Sequence, residues 1–205
     1  MPIFIAVEGI EGVGKSSVIS IIADVLSAQG YVSRSTREPG GTDLAEQIRS
    51  LLKSKEYTID EKTELLLMFA ARSHHVQSVI MPSLKDGVSI ISDRYVAASY
   101  AYQGAARAGD EQMIKTLDQY ACEAQPDLTV LITCPVEVAL TRIKLRNIPI
   151  DRIESESAAF FERAQEKYLE LAHNNPAYIV VDGTGSLEDV QYLVRQEVSS
   201  WLSAR

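Results

Sequence analysis

Short apolar runs alternate with helically spaced apolar residues along the whole chain. The apolar runs are Ile3–Val7, Val88–Ser92, Leu128–Thr133 and Tyr178–Val181, and a weaker alternation covers Tyr31–Thr36. Unbroken apolar runs of this length are typical of parallel strands that are buried on both faces. Five such strands with helices between them predict an α/β protein with a doubly wound, five-stranded parallel sheet flanked by helices.

The stretch that follows the first strand carries the pattern Gly9-x-x-x-x-Gly14-Lys15-Ser16. Helically spaced apolar residues come next. A strand, a glycine-rich loop and a helix in this order predict the phosphate-binding loop of the P-loop NTPase fold, in which backbone N–H groups and the helix N terminus bind a polyphosphate. Lys15 is expected to reach the β and γ phosphates, and Ser16 to supply a hydroxyl to Mg²⁺. The predicted ATP-binding residues of this loop are Gly9, Ile10, Glu11, Gly12, Val13, Gly14, Lys15, Ser16 and Ser17.

Length and charge narrow the possible partners. The 205 residues suit one domain, residues 1–205, and the net charge of −8 argues against a nucleic-acid partner. No apolar run reaches the length of a membrane span. Cys122 and Cys134 have no metal-ligand spacing, so they are expected to be reduced core residues of a cytoplasmic protein.

Charged residues follow the second and third strands. The loop Arg37–Thr42 ends the second strand, and Asp93 and Arg94 end the third. Open α/β sheets bind ligands at the carboxyl ends of their strands. Asp93 is therefore predicted to hold Mg²⁺ directly or through water, and the planar fork of Arg94 to bind phosphate oxygens.

A long helix is predicted between these two strands. Thr58 and Glu61 have the spacing of a capping box that would open it, and Pro82 would close it. Phe69 and Arg72 share one face of this helix, and spacing alone favours a core aromatic beside a surface arginine. His74 and His75 have no evident partner in the sequence and receive no role.

A basic segment stands out in the acidic chain. Arg142, Lys144, Arg146 and Arg152 fall within eleven residues that contain one acid. A solvated surface is one interpretation of such a run. In a phosphate-loop protein, a basic segment interrupted by proline is better explained as a short lid, at approximately residues 142–154, that closes over the nucleotide.

The number of arginines distinguishes among phosphate-loop proteins. The guanine-reading Asn-Lys-x-Asp of GTPases is absent, and Arg37, Arg49, Arg72 and Arg94 lie in or near predicted strand ends. So many guanidinium groups suggest a second anionic substrate opposite the γ-phosphate. A nucleoside monophosphate fits, since its oxygen is already largely ionised at neutral pH and needs no general base.

The chain closely resembles the bacterial thymidylate kinase family through motifs spread over almost its whole length. These motifs are Glu8–Ser16, Thr36–Thr42, Phe69–Arg72, Asp93–Tyr95, Ala101–Gly104, Pro126–Thr129 and Asp151–Glu154. The resemblance implies phosphorylation of dTMP to dTDP with ATP and Mg²⁺ by a homodimer that forms through helices including the one with Leu65 and Leu66. Two alternatives remain: a kinase of other deoxynucleosides or nucleotides, and a nucleotide-binding module without catalysis.

The resemblance also implies roles for individual residues. Lys15, Arg94 and Arg152 would be catalytic, and Ser16 and Asp93 would serve the metal. Gly12 stands where one branch of the family carries an arginine in the phosphate loop, which places this chain in the branch whose lid supplies it. Arg142 and Arg146 would contact ATP. The implied dTMP-binding residues are Glu11, Arg37, Glu38, Pro39, Arg49, Phe69, Arg72, Arg94, Ser99, Tyr102 and Gln103.

Overall fold

A computed structural model describes residues 1–205. Its five strands form one parallel sheet in the spatial order β2-β3-β1-β4-β5. The predicted α/β class and five-stranded parallel sheet are therefore confirmed. The strands are β1 (Phe4–Glu8), β2 (Ser33–Arg37), β3 (Ser89–Asp93), β4 (Leu128–Thr133) and β5 (Tyr178–Asp182).

Nine α-helices connect and cover the strands. Two π-helical segments, Val76–Ile80 and Tyr100–Ala106, continue α3 and α5. The α-helices are α1 (Lys15–Ala28), α2 (Asp43–Lys53), α3 (Glu61–His75), α4 (Met81–Lys85), α5 (Val96–Ser99), α6 (Glu111–Ala121), α7 (Val136–Leu145), α8 (Ala158–His173) and α9 (Leu187–Ser203).

The central strand β1 is buried along its whole length because both of its faces meet apolar layers. Ile5 and Val7 belong to a core that includes residues of α1, α8 and α9, while Phe4 and Ala6 belong to a second core with residues of α3. Burial of one such large apolar side chain contributes about 1.5–3 kcal/mol. This two-sided burial explains the unbroken apolar run in the sequence.

The register of the sheet brings charged residues together at one edge. Asp93 at the end of β3 is paired with Val7 of β1 on one side and with Arg37 of β2 on the other. The strand order also reverses at β1, since β3 and β4 flank it. Ligands bind at such reversal points of open sheets, so the fold itself places a site beyond Glu8, Asp93 and Arg37.

The predicted ends of the long helix were both wrong. Asp60, not Thr58, caps α3: its carboxylate accepts hydrogen bonds from the backbone N–H groups of Lys62 and Thr63. Pro82 does not end the helical path, which continues through Val76–Ile80 into α4. Pro82 lies in the first turn of α4, where proline is tolerated, after the π-helical segment has changed the hydrogen-bond register.

Two smaller observations concern the cysteines and the lengths of the helices. Cys122 and Cys134 are buried free thiols, as predicted, and burial raises the pKa of Cys122 to about 12. None of the helices has the length and apolar character needed to cross a membrane.

Candidate active site

One cavity of about 380 Å³ opens at the carboxyl ends of β1, β2 and β3. The phosphate loop forms one side, and the loop after β2, the end of β3 and the lid segment form the others. The predicted site residues that line it are Glu11, Gly12, Gly14, Lys15, Ser16, Ser17, Arg37, Glu38, Pro39, Arg49, Asp93, Arg94, Tyr102, Gln103, Arg142, Arg146 and Arg152. The structure thus brings together most residues proposed for both nucleotides.

Six predicted residues do not line this cavity. Gly9, Ile10 and Val13 belong to the inner side of the phosphate loop, and Ile10 and Val13 are buried in the core. Phe69, Arg72 and Ser99 are buried beside the cavity, with Arg72 contacting the cavity residue Glu38.

The phosphate loop holds its lysine close to its own backbone. The Nζ of Lys15 donates to the carbonyl oxygens of Gly9, at 2.9 Å, and Ile10, at 2.8 Å. Burial, with the charge of Arg94 added, lowers the pKa of Lys15 to about 8. Gly12 has a φ of +84°, and a Cβ there would lie 2.2 Å from the carbonyl oxygen of Ala139. A side chain at position 12 would therefore collide with the backbone of α7.

Arg94 occupies the centre of the site in a strained conformation. Its φ is +72°, in the left-handed region that residues other than glycine seldom adopt, and its N–H donates to the carbonyl oxygen of Val7 at 2.9 Å. Such strain persists where the surroundings enforce it, most often at functional sites. In this conformation the guanidinium donates to Glu11 at 2.7 Å and to the Tyr168 hydroxyl at 3.0 Å.

Glu11 and Tyr102 complete the surroundings of this arginine. The guanidinium lies 5.0 Å from the ring centre of Tyr102, whose hydroxyl donates to Glu11. Burial alone would raise the pKa of Glu11, but the charges of Arg94 and Lys15 outweigh it, so that pKa is lowered. Glu11 is therefore ionised beside two cations.

A second carboxylate below this group was missed by the sequence analysis. Glu8 is fully buried and accepts hydrogen bonds from the Tyr95 N–H at 2.7 Å and the Tyr168 hydroxyl at 2.8 Å. Burial raises the pKa of Glu8 to about 7. An acid that directly follows an apolar strand was the available signal, but its partners lie 87 and 160 residues away in the chain.

Asp93 presents a buried oxygen to the cavity. Its Oδ1 has no hydrogen-bond partner, and Ser16 lines the same cavity. Nowhere do three His, Cys, Asp or Glu residues gather as ligands of a metal ion. A cation here would thus rely on Asp93, Ser16, water and ligand oxygens, which is the donor set that Mg²⁺ takes in phosphate sites.

Arg72 is a buried residue, so the interpretation as a surface arginine was wrong. Its guanidinium donates to Glu38 at 2.6 Å, to the Ser99 hydroxyl at 2.8 Å and to the Tyr95 carbonyl at 3.0 Å. It also lies 4.7 Å from the ring centre of Phe69, which is buried as predicted. Burial of an arginine with all of these partners fixes its orientation before any ligand binds.

The two histidines of α3 do have partners, contrary to the sequence analysis. His75 contacts the Glu38 carboxylate at 2.9 Å through Nδ1 and the Thr36 hydroxyl at 2.7 Å through Nε2. His74 contacts the Thr42 hydroxyl at 3.0 Å. These three contacts tie α3 to the end of β2 and to the loop after it, a connection between distant parts of the chain that residue spacing within α3 did not reveal.

The other two arginines of the site are held by the loop and by α2. Arg37 forms an ion pair with Glu46 at 2.9 Å, and its side chain is about half exposed. Arg49 donates to the carbonyl oxygen of Pro39 at 2.9 Å, and the peptide bond from Glu38 to Pro39 is cis. Both arginines line the cavity.

The lid segment, residues 142–154, contacts three parts of the molecule. Arg142 donates to the Gly183 carbonyl at 2.8 Å, while Arg146 pairs with Glu154. Arg152 donates to the Leu52 carbonyl at 2.8 Å and to a carboxylate of α3, Glu64, at 2.7 Å. Each of these arginines lines the cavity, so the basic segment is more than a solvated surface.

A phosphate loop, an unpaired carboxylate beside it and several arginines that face it across one cavity define the class of phosphate-loop nucleotide kinases. Comparison with known proteins gives the family. The family model described as thymidylate kinase matches residues 7–194. This chain belongs to the thymidylate kinase family, as its motifs indicated.

Individual relatives agree over nearly the whole chain. A thymidylate kinase of Baumannia cicadellinicola subsp. Homalodisca coagulata is 42% identical over 207 aligned residues, which cover 98% of this chain and 97% of the relative. A thymidylate kinase of Chromohalobacter salexigens is 44% identical, with the same two coverages. One of Pseudomonas syringae pv. syringae is 44% identical over 92% of this chain and 91% of its own.

Proposed function

We propose that this protein transfers the γ-phosphoryl group of ATP to dTMP, with Mg²⁺, in the cytoplasm. One observation carries the proposal: the phosphate loop and the strained Arg94 line the same cavity as most of the residues assigned to a second nucleotide. The family membership agrees with it. The two free thiols fit a reducing compartment. All 205 residues would form one kinase domain.

The donor side would hold ATP through residues 9–17. The backbone N–H groups of this loop and the N terminus of α1 attract the phosphates, and Lys15 exchanges its two carbonyl contacts for phosphate oxygens. Ser16 and Asp93 would hold Mg²⁺, whose charge, when it is bound, neutralises the phosphate oxygens. The unpaired Oδ1 of Asp93 supports this assignment.

The acceptor side would align dTMP with the γ-phosphate. Arg94, Arg37 and Arg49 would bind the monophosphate, which is already largely a dianion and needs no general base. Catalysis then consists of alignment and charge neutralisation. Pro39 and Glu38 would close the loop side of the pocket.

The nucleoside part of dTMP would lie next to the buried arginine of α3. Phe69 would stack on the base, with Arg72 and Gln103 hydrogen-bonding its edge. Tyr102 would close the sugar side, with Ser99 nearby, and Glu11 would face the 3′-hydroxyl. The existing bond between Tyr102 and Glu11 supports a fixed sugar pocket.

The lid would supply a further arginine to the transferred group. Arg152 is the first candidate for this role and Arg146 the second. Arg142 would lie toward the base of ATP. The close approach of Gly12 to Ala139 supports this, because the phosphate loop has no room for an arginine at that position. A homodimer could form through α3, where Leu66 is exposed, whereas Leu65 lies in the core and is no part of that surface.

The test is release of ADP from ATP and Mg²⁺ with one acceptor at a time: dTMP, dUMP, dCMP or thymidine. We expect dTMP to give the highest kcat/KM and thymidine to give no turnover. A higher kcat/KM for thymidine than for dTMP would contradict this function and would indicate a nucleoside kinase instead. If no dTDP forms after prolonged incubation although calorimetry shows that the protein binds ATP and dTMP, the protein is a nucleotide-binding module without catalysis.

A further inference from the structure

Glu64 is a buried carboxylate in the first turn of α3 that the reaction itself does not use. It is 1% exposed and borders the cavity. Its Oε1 accepts from the amide of Gln103 at 2.8 Å and from Arg107 at 3.4 Å. Its Oε2 accepts from Arg107 at 3.2 Å and from Arg152 at 2.7 Å. A carboxylate offers about four acceptor positions, so this one is saturated.

The charge of Glu64 decides which end of the Gln103 amide faces it. Burial would raise the pKa of Glu64, but the hydrogen bond from Gln103 and the charges of Arg107 and Arg152 lower it. An ionised carboxylate accepts hydrogen bonds and donates none. The NH₂ group of Gln103 must therefore point to Glu64, and the amide oxygen must point elsewhere.

That amide oxygen is left without a partner. Gln103 lines the cavity and is 5% exposed, and its buried Oε1 has no hydrogen-bond donor in the protein. The backbone of Gln103 is fixed in the π-helical segment Tyr100–Ala106, and its carbonyl accepts from Gly109 at 3.1 Å. The side chain is largely buried, and a flip of its amide would turn its oxygen toward the Glu64 carboxylate, so Glu64 opposes that flip.

A buried acceptor without a donor is costly and favours a ligand that donates to it. The imide N3–H of thymine or uracil is such a donor. The N3 atom of cytosine carries no hydrogen and is itself an acceptor. Its lone pair would therefore face the lone pairs of the Gln103 oxygen, and the two acceptors would repel each other. The oxygen that Gln103 presents therefore selects imide bases.

We propose that Glu64 is a specificity-determining positioning residue: by holding the Gln103 amide in one orientation, it makes the pocket accept thymine and reject cytosine. The inference rests on the proposed function, since it assigns the base of the acceptor nucleotide to this part of the cavity. Glu64 acts through Gln103 and touches no reacting atom.

The Glu64→Gln variant tests this with three acceptors: dTMP, dUMP and dCMP. Arg152 holds the oxygen of the new amide at the Oε2 position, which turns its NH₂ group toward Gln103. Gln103 must then flip and present NH₂ to the base. We expect the ratio of kcat/KM for dTMP over dCMP to fall at least about tenfold, since one matched hydrogen bond becomes a mismatch. The ratio of dTMP over dUMP should stay unchanged, because both bases carry the imide.

A purely structural role predicts a different result. If Glu64 only anchors Arg107 and the lid, Glu64→Gln lowers kcat/KM for all three acceptors by the same factor, and that result overturns the proposal. The matched control is Glu156→Gln, which breaks the other ion pair of Arg107, at 2.6 Å, without touching Gln103. It should leave both ratios at their wild-type values.

Two further measurements keep the test decisive. Glu64→Asp provides the test if Glu64→Gln fails to fold. It retains the negative charge but moves it away from Gln103, so the ratio of kcat/KM for dTMP over dCMP should fall in Glu64→Asp. An unchanged ratio there contradicts the proposal. Calorimetric binding of dTMP and dCMP separates a failure of the proposed function from a failure of the role of Glu64. If the wild-type protein binds dTMP more tightly than dCMP but makes no dTDP, the proposed function is refuted. The role of Glu64 is then tested by comparing the binding of the two nucleotides in the wild type and the variants.

Discussion

The charges at the centre of the cavity and the charges of the lid are held in different ways. At the centre, Arg72 and Glu38 form an ion pair at 2.6 Å in which both side chains are 1% exposed, and Arg94 is surrounded by a carboxylate and two tyrosines. In the lid, Asp151 pairs with Lys53 of α2 at 2.8 Å, and the side chain of this lysine is 42% exposed. Exposed pairs contribute little and exchange partners readily, whereas a buried pair that loses one member leaves an uncompensated charge.

This difference assigns different tasks to the two regions. The central group, which we define as Glu8, Glu11, Glu38, Arg72 and Arg94, is oriented before a nucleotide arrives. Such preorganisation lowers the barrier of a reaction that consists of alignment and charge neutralisation. The exposed contacts of the lid, such as the one between Asp151 and Lys53, can be released and re-formed at small cost, as a cover over a nucleotide must, whereas Arg152 is paired with the buried Glu64.

The largest expected effect comes from removing the central arginine. Arg94→Ala should lower kcat/KM for dTMP by on the order of 10³-fold or more, because the guanidinium proposed to hold the dTMP phosphate during the transfer is lost. The measurement is steady-state release of ADP. Arg195→Ala is the control, since that arginine only approaches Asp24 at 3.9 Å on the surface. A loss smaller than about tenfold in Arg94→Ala would remove it from the catalytic group.

In the lid, Arg152→Ala should lower turnover by on the order of 10²–10³-fold and change dTMP affinity by less than about tenfold. The reason is that the proposed contact of Arg152 forms with the transferred group. Single-turnover rates and calorimetric dTMP binding separate the two quantities, and Arg146→Ala is the comparison variant. A defect in dTMP binding alone would make Arg152 a part of the acceptor pocket through its contact with Glu64.

For stability, Arg72→Ala should cost about 3–5 kcal/mol in the free energy of unfolding, because Glu38 would remain buried without its arginine, with only the contact to His75 left. Urea unfolding at pH 7 measures it. Arg37→Ala removes a half-exposed arginine from the same loop region and should cost less than about 1 kcal/mol. Equal losses in the two variants would contradict the contrast between buried and exposed pairs.

The pH dependence of stability should report the buried Glu8. Its folded pKa of about 7 lies above its ordinary value of 4.5, so the folded state binds the proton more tightly. Its contribution to stability is fully present below pH 4.5 and is lost as the pH rises through 7. The free energy of unfolding should therefore fall between pH 4 and pH 8 by on the order of 3 kcal/mol more in the wild type than in Glu8→Gln. Parallel pH curves for the two proteins would show that burial does not raise the pKa of Glu8.

The smallest effect is expected at the edge of the lid. Lys53→Ala removes the exposed contact with Asp151 and should change the free energy of unfolding by about 0.2–1 kcal/mol. The difference from wild type should shrink further in 1 M salt, which screens exposed charges. A change above about 2 kcal/mol would mean that the lid is anchored as firmly as the centre of the site.

Local patterns were sufficient for the strands, the phosphate loop and the charged strand ends. The phosphate loop was predictable because strand, glycines, lysine and helix follow one another within about twenty residues. Asp93 and Arg94 were predictable because the carboxyl ends of parallel strands share one edge. Family motifs added the residues proposed to bind dTMP, a role that the spacing of Phe69 and Arg72 alone had not indicated.

Contacts between distant parts of the chain were not predictable from patterns. Glu64, Glu8 and Tyr168 received no role, because their partners lie on other elements and no periodicity marks them. Arg72 seemed exposed for the same reason: its partner Glu38 lies 34 residues earlier. The helix start at Asp60 was missed because Thr58 and Asp60 are both preferred cap residues two positions apart, and only the backbone geometry selects one.

The most direct measurement of the central idea is a crystal structure with dTMP and a non-hydrolysable ATP analogue together. The account predicts that the dTMP phosphate oxygen points at the terminal phosphorus of the analogue, in line with its leaving oxygen and within hydrogen-bond distance of Arg94. It also predicts that the Arg72–Glu38 pair keeps its present geometry. A thymine bound away from Phe69 and Gln103, or a dTMP phosphate out of line with the phosphate loop, would contradict it.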